Sequence, residues 1–453
     1  MKIVIAGAGE VGTHLAKMLS DEEQDITIMD TDPSKLAALD DFNLMTYVGT
    51  SVSFMDLAAV NVADADLFIA CTPLEARNIL ACSMAGEAGA KRTVARINNS
   101  EYMIKVHRDF FKTKRIDHLI YPEYLAAQEI IQALKCTWAR NWYELFNGEL
   151  IIVGVKIRKN STLVGNHLRQ LGQFSNKMHV SAIKRNHETI IPTGRDVIKE
   201  NDIVYIATTH DYIDDVAEMC GKKKINAKKV LVMGGGPITE QLLEFACDDY
   251  DIKVLEPDRK RCQELADKFP NAAIVFGDPR DSDFLEEEGI DDYDAFVGLL
   301  DTSEANILGC LMAKEHGISK TIAQVENLNY FNEAEALNIG TIINKKLLAS
   351  SRIFQILLDS DPENSKSLAL QDAEVAEFVV KEGAKIASTE VMNLGLGNNM
   401  TIAGMVRDGE GQLVTGRTRF KAGDHVVIFC LQGALREAEK KFKEHKGLLS
   451  FLE

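Results

Sequence analysis

The sequence predicts an α/β protein built twice over: a parallel-sheet domain followed by a small α+β domain, then the same pair again. Three observations carry that prediction. Lys2–Gly12 reads KIVIAGAGEVG and Lys229–Thr239 reads KVLVMGGGPIT, each a short apolar strand running into a glycine-rich turn. Asp25–Leu36 (DITIMDTDPSKL) is echoed by Asp251–Cys262 (DIKVLEPDRKRC). Asp64–Cys82 is echoed by Asp292–Cys310, and both segments carry an Asn-Ile-Leu motif. Self-similarity at so steady an offset marks a tandem duplication, which governs any reading of the fold.

Within the first copy the elements follow in order. IVIA, ITIM, LMTYV, LFIA, TVARI and HLIY are six short apolar runs that read as strands apolar on both faces. Between them, Val11–Leu19, Ser34–Leu39, Phe54–Ala59, Ala76–Ala88 and Glu101–Phe110 read as helices. This alternation predicts a parallel sheet covered by helices. Asp32-Pro33 supplies an N-cap and a proline at the first helical position, where its missing N–H is harmless. The second copy repeats the series and ends in TIIN at Thr341–Asn344.

A helix follows each sheet: Tyr121–Leu134 and Asn344–Leu357, with apolar stripes of Leu125, Ile130, Leu134 and of Leu348, Ile353, Leu357. These stripes are expected to help bury the contact between the two large domains and between chains, the alternative being the parent sheet. The small domains share Ile190–Thr208 (IIPTGRDVIKENDIVYIAT) and Gln412–Cys430 (QLVTGRTRFKAGDHVVIFC). In each, Asn or Gly before an Asp turns the chain into an apolar strand. The expected layout is a large domain over 1–120, a connecting helix over 121–140 and a small domain over 141–225. The second large domain then spans 226–343, its helix 344–362 and its small domain 363–453. The basic run Gly221–Lys229 reads as a solvated linker between halves.

Composition narrows the function classes. A charge of −17, from 51 basic and 68 acidic residues, argues against nucleic acid. No apolar stretch is long enough to span a bilayer. The N-terminus begins directly with a strand, so no signal peptide is expected. The eight cysteines form no CxxC pair and fit buried free thiols in a reducing cytoplasm.

The chemistry lies in Gly7-Ala8-Gly9-Glu10-Val11-Gly12, a full G-x-G-x-x-G between strand and helix. Its first glycine permits the turn, its second lets backbone approach a pyrophosphate and its third allows helix–strand packing. Phosphate would then meet free N–H groups at the helix start. Asp30 ends the second strand, in Asp30-Thr31-Asp32, where a carboxylate accepts from ribose hydroxyls and disfavours a 2′-phosphate. This is a Rossmann-like arrangement favouring NAD or an adenine nucleotide. Gly49-Thr50 and Cys71-Thr72 sit at neighbouring strand ends. Arg96 ends the fifth strand, where a guanidinium either neutralises phosphate or makes a surface or interdomain ion pair. Asn78 reads as a helix-surface residue.

The second copy is degenerate. It keeps Gly234 and Gly236 but has Thr239 for Gly12, Glu256 for Asp30 and Gln324 for Arg96. Enzyme machinery is also absent from the pattern. His14 aligns with Gln241, His107 has no histidine counterpart, and no HExxH, GxSxG or P-loop lysine motif occurs. No catalytic residue and no metal site is expected.

These residues carry a resemblance. KIVIAGAGEVG, MDTDPSKL, Gly49-Thr50 and the EARNIL helix resemble the regulatory nucleotide-binding domains of potassium transport proteins, called RCK or KTN domains. The TGRDVIKENDIVYIAT segment is similar to their C-terminal ligand-sensing subdomain. The duplicated order, over essentially the whole chain, resembles the tandem-RCK peripheral subunits of bacterial Trk potassium uptake systems. The resemblance implies regulation without catalysis: binding of NAD(H) or ATP/ADP, and gating of a membrane-embedded potassium translocating subunit. It implies glycine-loop and ribose roles for Gly7, Gly9, Gly12 and Asp30, and for Gly234, Gly236 and Glu256 in the degenerate copy. It further implies a cytoplasmic homodimer or homotetramer, held at the inner face of the membrane by its partner and not by lipid. The alternatives are a soluble NAD-dependent oxidoreductase and a ligand-free scaffold.

Overall fold

The structure is a computed structural model that describes residues 1–20, 24–186, 188–223, 226–357, 368–370, 373–384, 386–387, 389–431 and 433–442. The chain forms two compact units. One holds Met1–Leu125 together with a helix from far along the chain, and the other holds the rest.

The first unit is built on a parallel sheet of β1 (Lys2–Ala6), β2 (Asp25–Asp30), β3 (Met45–Val48), β4 (Leu67–Ala70), β5 (Thr93–Arg96) and β6 (His118–Ile120). Helices α1 (Glu10–Ser20), α2 (Pro33–Ala37), α3 (Phe54–Ala59), α4 (Glu75–Ala88) and α5 (Lys105–Thr113) make the crossovers. The strand order is β3-β2-β1-β4-β5-β6, so the direction of winding reverses between β1 and β4. In β1 and β4 the apolar side chains are buried on both faces, as the sequence predicts. Strand β3 departs from it: Met45 and Val48 are exposed because this strand is the sheet's edge. The helix expected over Glu101–Phe110 also breaks. The Asn99 side chain accepts from the Glu101 amide and starts a separate turn at Ser100–Met103, which ends at extended Ile104 before α5 begins.

Helix α6 (Pro122–Lys135) leads to an antiparallel sheet of β7 (Asn141–Leu145), β8 (Leu150–Lys156), β9 (His179–Arg185), β10 (Glu188–Ile190) and β11 (Ile203–Thr208), closed by α7 (Ile213–Met219). The second parallel sheet holds β12 (Lys229–Met233), β13 (Asp251–Glu256), β14 (Ala273–Phe276), β15 (Ala295–Gly298), β16 (Lys320–Gln324) and β17 (Thr341–Ile343). Its helices are α8 (Pro237–Ala246), α9 (Arg259–Lys268), α10 (Ser282–Glu287), α11 (Ser303–Glu315) and α12 (Phe331–Ala336). Its strand order, β14-β13-β12-β15-β16-β17, copies the first. After α13 (Lys345–Leu357), the last sheet comprises β18 (Leu368–Leu370), β19 (Ala373–Val379), β20 (Met400–Arg407), β21 (Glu410–Gln412) and β22 (His425–Leu431), followed by α14 (Leu435–Phe442).

The duplication reaches individual bonds. In each small sheet a buried Asp accepts a two-pronged guanidinium at 2.8 and 2.6 Å: Arg185 on Asp202, and Arg407 on Asp424. The two small sheets share one core, in which Ile152, Ala182, Tyr205, Val375, Ala403 and Phe429 are all buried. The Tyr205 and Phe429 rings lie 5.4 Å apart.

Helix α13 follows the second parallel sheet in sequence, yet it belongs to the first unit and packs on α1 and β6. Its Ile353 and Ile356 are buried, and the Ile356 carbonyl accepts from Arg92 at 2.5 Å. The alternative of packing on the parent sheet does not hold for this stripe, since α13 packs on α1 and β6 instead.

A nucleotide-type crevice at the strand reversal

Loops after β1 and β4 diverge at the reversal point, where open α/β sheets form their ligand crevices. Gly7 turns the chain with φ +111°, and a Cβ there would meet the Thr72 amide at 3.0 Å. A Cβ on Gly9 would meet nothing within 4 Å, so this stretch of backbone is open to approach. Gly12 is the steric pivot: its Cβ would lie 1.9 Å from the Gly7 carbonyl oxygen and 2.9 Å from Cys71 Sγ. Ala8 and Val11 are buried behind the loop, and Glu10 begins α1 with its carboxylate 3.1 Å from Lys346 Nζ on α13.

Asp30 ends β2 and faces the loop. Its Oδ2 accepts from the Ala8 amide at 2.7 Å and its Oδ1 from the Asp32 amide at 2.9 Å. Asp32 caps α2 by accepting from the amide and hydroxyl of Ser34, and the hydroxyl bond foremost holds its carboxyl below the usual range. Thr31 is exposed beside them. Gly49 donates to the Asp30 carbonyl at 3.0 Å, and the Thr50 amide donates to Asp56 at 2.9 Å.

Cys71 is buried beneath the turn, its thiol 3.5 Å from the Gly7 carbonyl, and burial pushes its pKa up to about 12. It packs against the loop as a neutral group. Thr72 donates its hydroxyl to Asn78 Oδ1 at 2.6 Å. Asn78 itself corrects the sequence reading, because it is 1% exposed and no surface residue. Its Oδ1 also accepts from the Thr72 amide, and its Nδ2 donates to the carbonyls of Thr72 and Arg96. One amide therefore ties the ends of β4 and β5 together. Asn306 repeats the device with Leu300 and Gln324. The signal was available: Asn recurs in both Asn-Ile-Leu motifs.

Arg96 lies at the end of β5 with its buried Nε unpartnered, and no ion pair to it occurs among the described residues. It borders a recess of about 10 Å³ closed partly by Ala349 and Ile353 of α13. His14 has a buried Nε2 without a partner, and burial, then the charges of Lys346 and Lys17, push its pKa down.

The second crevice is built on the same plan but filled by its own groups. Glu256 is buried, accepting from the Gly235 amide at 2.5 Å and the Asp258 amide at 2.8 Å. Thr239 is accommodated by donating its hydroxyl to the Gly234 carbonyl at 2.6 Å. Arg261 donates to the Gly235 carbonyl and pairs with Glu240, which also holds Lys268. A Cβ on Gly236 would meet only the Leu299 oxygen, 4.0 Å away. Gln324 turns to Glu326 at 3.0 Å. Among the described residues no cluster of three metal-ligating side chains occurs, and no helix is long and apolar enough to cross a membrane.

The TrkA-N domain matches residues 3–122 and 230–345, and the TrkA-C domain matches residues 152–221 and 375–443. The chain belongs to the TrkA family. The Trk system potassium uptake protein TrkA homolog 2 of Methanosarcina mazei is 29% identical over 98% of this chain and 100% of its own length. The Trk system potassium uptake protein TrkA of Halomonas elongata is 29% identical over 98% of this chain and 99% of its own. Among solved structures, the GsuK channel bound to NAD aligns with a TM-score of 0.60 at 12% identity, covering 97% of this chain and 78% of that one. That likeness supports the Rossmann-like and small-domain fold of this TrkA chain.

Proposed function

We propose that this TrkA chain is a cytoplasmic regulatory subunit that binds NAD(H) or an adenine nucleotide in its first crevice and gates a membrane potassium-uptake protein. The observation that carries the reading is the unequal state of the two crevices. The first leaves a buried Arg96 Nε unpartnered at the end of β5, while the second turns Arg261, paired with Glu240, onto the Gly235 carbonyl of its own loop. An unpaired guanidinium nitrogen near a glycine turn suits phosphate, and Asp30 suits ribose hydroxyls. Gly7, Gly12, Cys71 and Asn78 would hold the loop, with Gly49, Thr50 and Thr72 along the rim. The relatives' names supply the process, and NAD in the GsuK structure matches the ligand class.

Regulation requires a ligand with different affinity for two arrangements. The Glu10–Lys346 pair offers such an element, because phosphate at the start of α1 would compete with Glu10 for Lys346 and so bias α13. The test is calorimetric titration of the full chain with NADH, NAD, ATP and ADP. Gly9→Val should abolish high-affinity binding and Gly236→Val should have a smaller effect. Equal losses, or no binding by the unaltered chain, would overturn the assignment.

A further inference from the structure

The second unit gathers six cations around one cavity of about 140 Å³: Arg140, Lys156, Arg158, Lys222, Lys314 and Lys320. In a chain of net charge −17 this is an unexpected concentration of positive charge. They come from four places in sequence: the approach to β7, the end of β8, the segment after α7, and the α11–β16 junction.

Two of the six have structural employment. Lys320 donates to the carbonyls of Cys136 and Ala139 and to the Thr341 hydroxyl, all neutral acceptors. Arg140 donates to the Glu335 carbonyl and to Asn338 Oδ1. For Lys156, Arg158, Lys222 and Lys314, no side-chain ion pair or hydrogen bond occurs among the described residues. The nearby carboxylates are committed elsewhere: Glu335 to Lys184 at 2.7 Å, and Asp202 to Arg185. Glu335, Asp202 and, near Lys320, Glu129 therefore offset the six cations only in part. Burial, then repulsion from Arg140 and Arg158, pushes the Lys314 pKa down to about 8 and lowers that of Lys156.

The duplicated positions preserve the cluster only in part. Lys156 pairs with Ile203 in the first small sheet, and Val379 pairs with His425 at the corresponding register of the second. Lys314 lies three residues before the left-handed Gly317, and Gly86 lies three before the left-handed Gly89. Val379 and Gly86 thus stand where Lys156 and Lys314 stand. Lys156 and Lys314 therefore belong to this cavity and not to the architecture of the repeat, whereas Arg92 and Lys381 keep a cation where Lys320 and Arg158 stand.

We infer that this cavity binds a small anion carrying two or more phosphate groups. Lysine and arginine donors converging in a recess focus their field on such an ion, and several unpaired cations match its charge in a way one carboxylate cannot. The sequence reading of Gly221–Lys229 as a solvated linker is revised for Lys222, which lines the cavity.

Pyrophosphate and ADP are the probes, titrated calorimetrically into the full chain, its Gly9→Val variant and a Lys156→Met/Lys314→Met variant. Pyrophosphate should bind the first two alike and the third at least tenfold more weakly, with affinity falling as KCl rises. In the Gly9→Val chain, ADP binding tighter than pyrophosphate would assign a nucleotide, and equal binding the phosphate groups alone. The methionine variant should melt no lower than the unaltered chain, since it relieves repulsion. Should it fail to fold, Lys222→Glu serves in its place. Equal pyrophosphate affinity in all three chains, or none in the Gly9→Val chain at millimolar concentration, would overturn the proposal. So would a fall in assembled mass on the methionine substitutions, which would assign the cluster to a carboxylate of another copy. Because the Gly9→Val chain keeps this cavity intact, failure here is separate from failure of the first crevice.

Discussion

At the scale of single residues, the glycine motif separates into three different physical demands. Gly7 needs its positive φ, Gly12 has no room for a Cβ, and Gly9 alone faces open space. The sequence shows the motif only as a spacing; which glycine is steric and which is free for a ligand follows from the approach of Cys71 and the Gly7 carbonyl. Asn78 was misjudged for a related reason. Polar residues on helices default to the solvent side, and nothing local reveals that two strand-end carbonyls converge on this one. Asn78→Ala should remove bonds to buried backbone groups and cost about 2–4 kcal/mol of stability. Urea unfolding checks this, and a loss below about 0.5 kcal/mol, the usual range for surface sites, would show that the amide does not clamp the strands.

At the scale of elements, alternation made the two parallel sheets legible, since strands apolar on both faces are buried by covering helices. Edge position and long-range docking were not legible. Strand β3 reads like its neighbours, yet it lies at the margin, and α13 carries a stripe whose partner no local pattern identifies. Ile353→Ala on α13 should destabilise the first unit by about 2–4 kcal/mol through the cavity it leaves. Hydrogen exchange should quicken in α1 and β6, and quickening confined to β12–β17 would contradict the packing. The first small sheet makes stability depend on pH. Burial pushes His179 on β9 down from 6.5 to about 4, with the Thr401 hydroxyl 3.4 Å from its Nε2. The folded chain therefore keeps His179 neutral while the unfolded chain takes up a proton near 6.5, so this stability is lost as pH falls from 6.5 towards 4. The urea midpoint should fall between pH 7.5 and 5, and His179→Gln should reduce that fall. An unchanged pH dependence would remove His179 from the account.

At the scale of the whole molecule, the duplication and the domain series were legible because each copy repeats its motifs in order. How copies meet was not, since no sequence pattern distinguishes an interface from ordinary surface. The first domain exposes Met45 and Val48 on the edge strand, Phe54 and Met55 at the start of α3, and Ile104, Val106 and Phe110 around α5. Large exposed apolar residues in such number mark contacts with other chains. No helix among the described residues is long and apolar enough to cross a membrane, and a charge of −17 disfavours anionic lipid, so the proposed function requires a protein partner for attachment. Light scattering at micromolar concentration should accordingly give a mass above one chain. In cells, the chain should sediment with membranes only when its potassium-translocating partner is present, and its deletion should impair potassium uptake at low external potassium. The Gly9→Val chain separates docking from regulation, because a Cβ at Gly9 meets nothing within 4 Å and the change lies in the crevice. It should still sediment with the partner and fail to restore regulated uptake. Normal uptake in the deletion strain, together with turnover of a metabolite by the purified chain, would replace regulation with oxidoreductase chemistry.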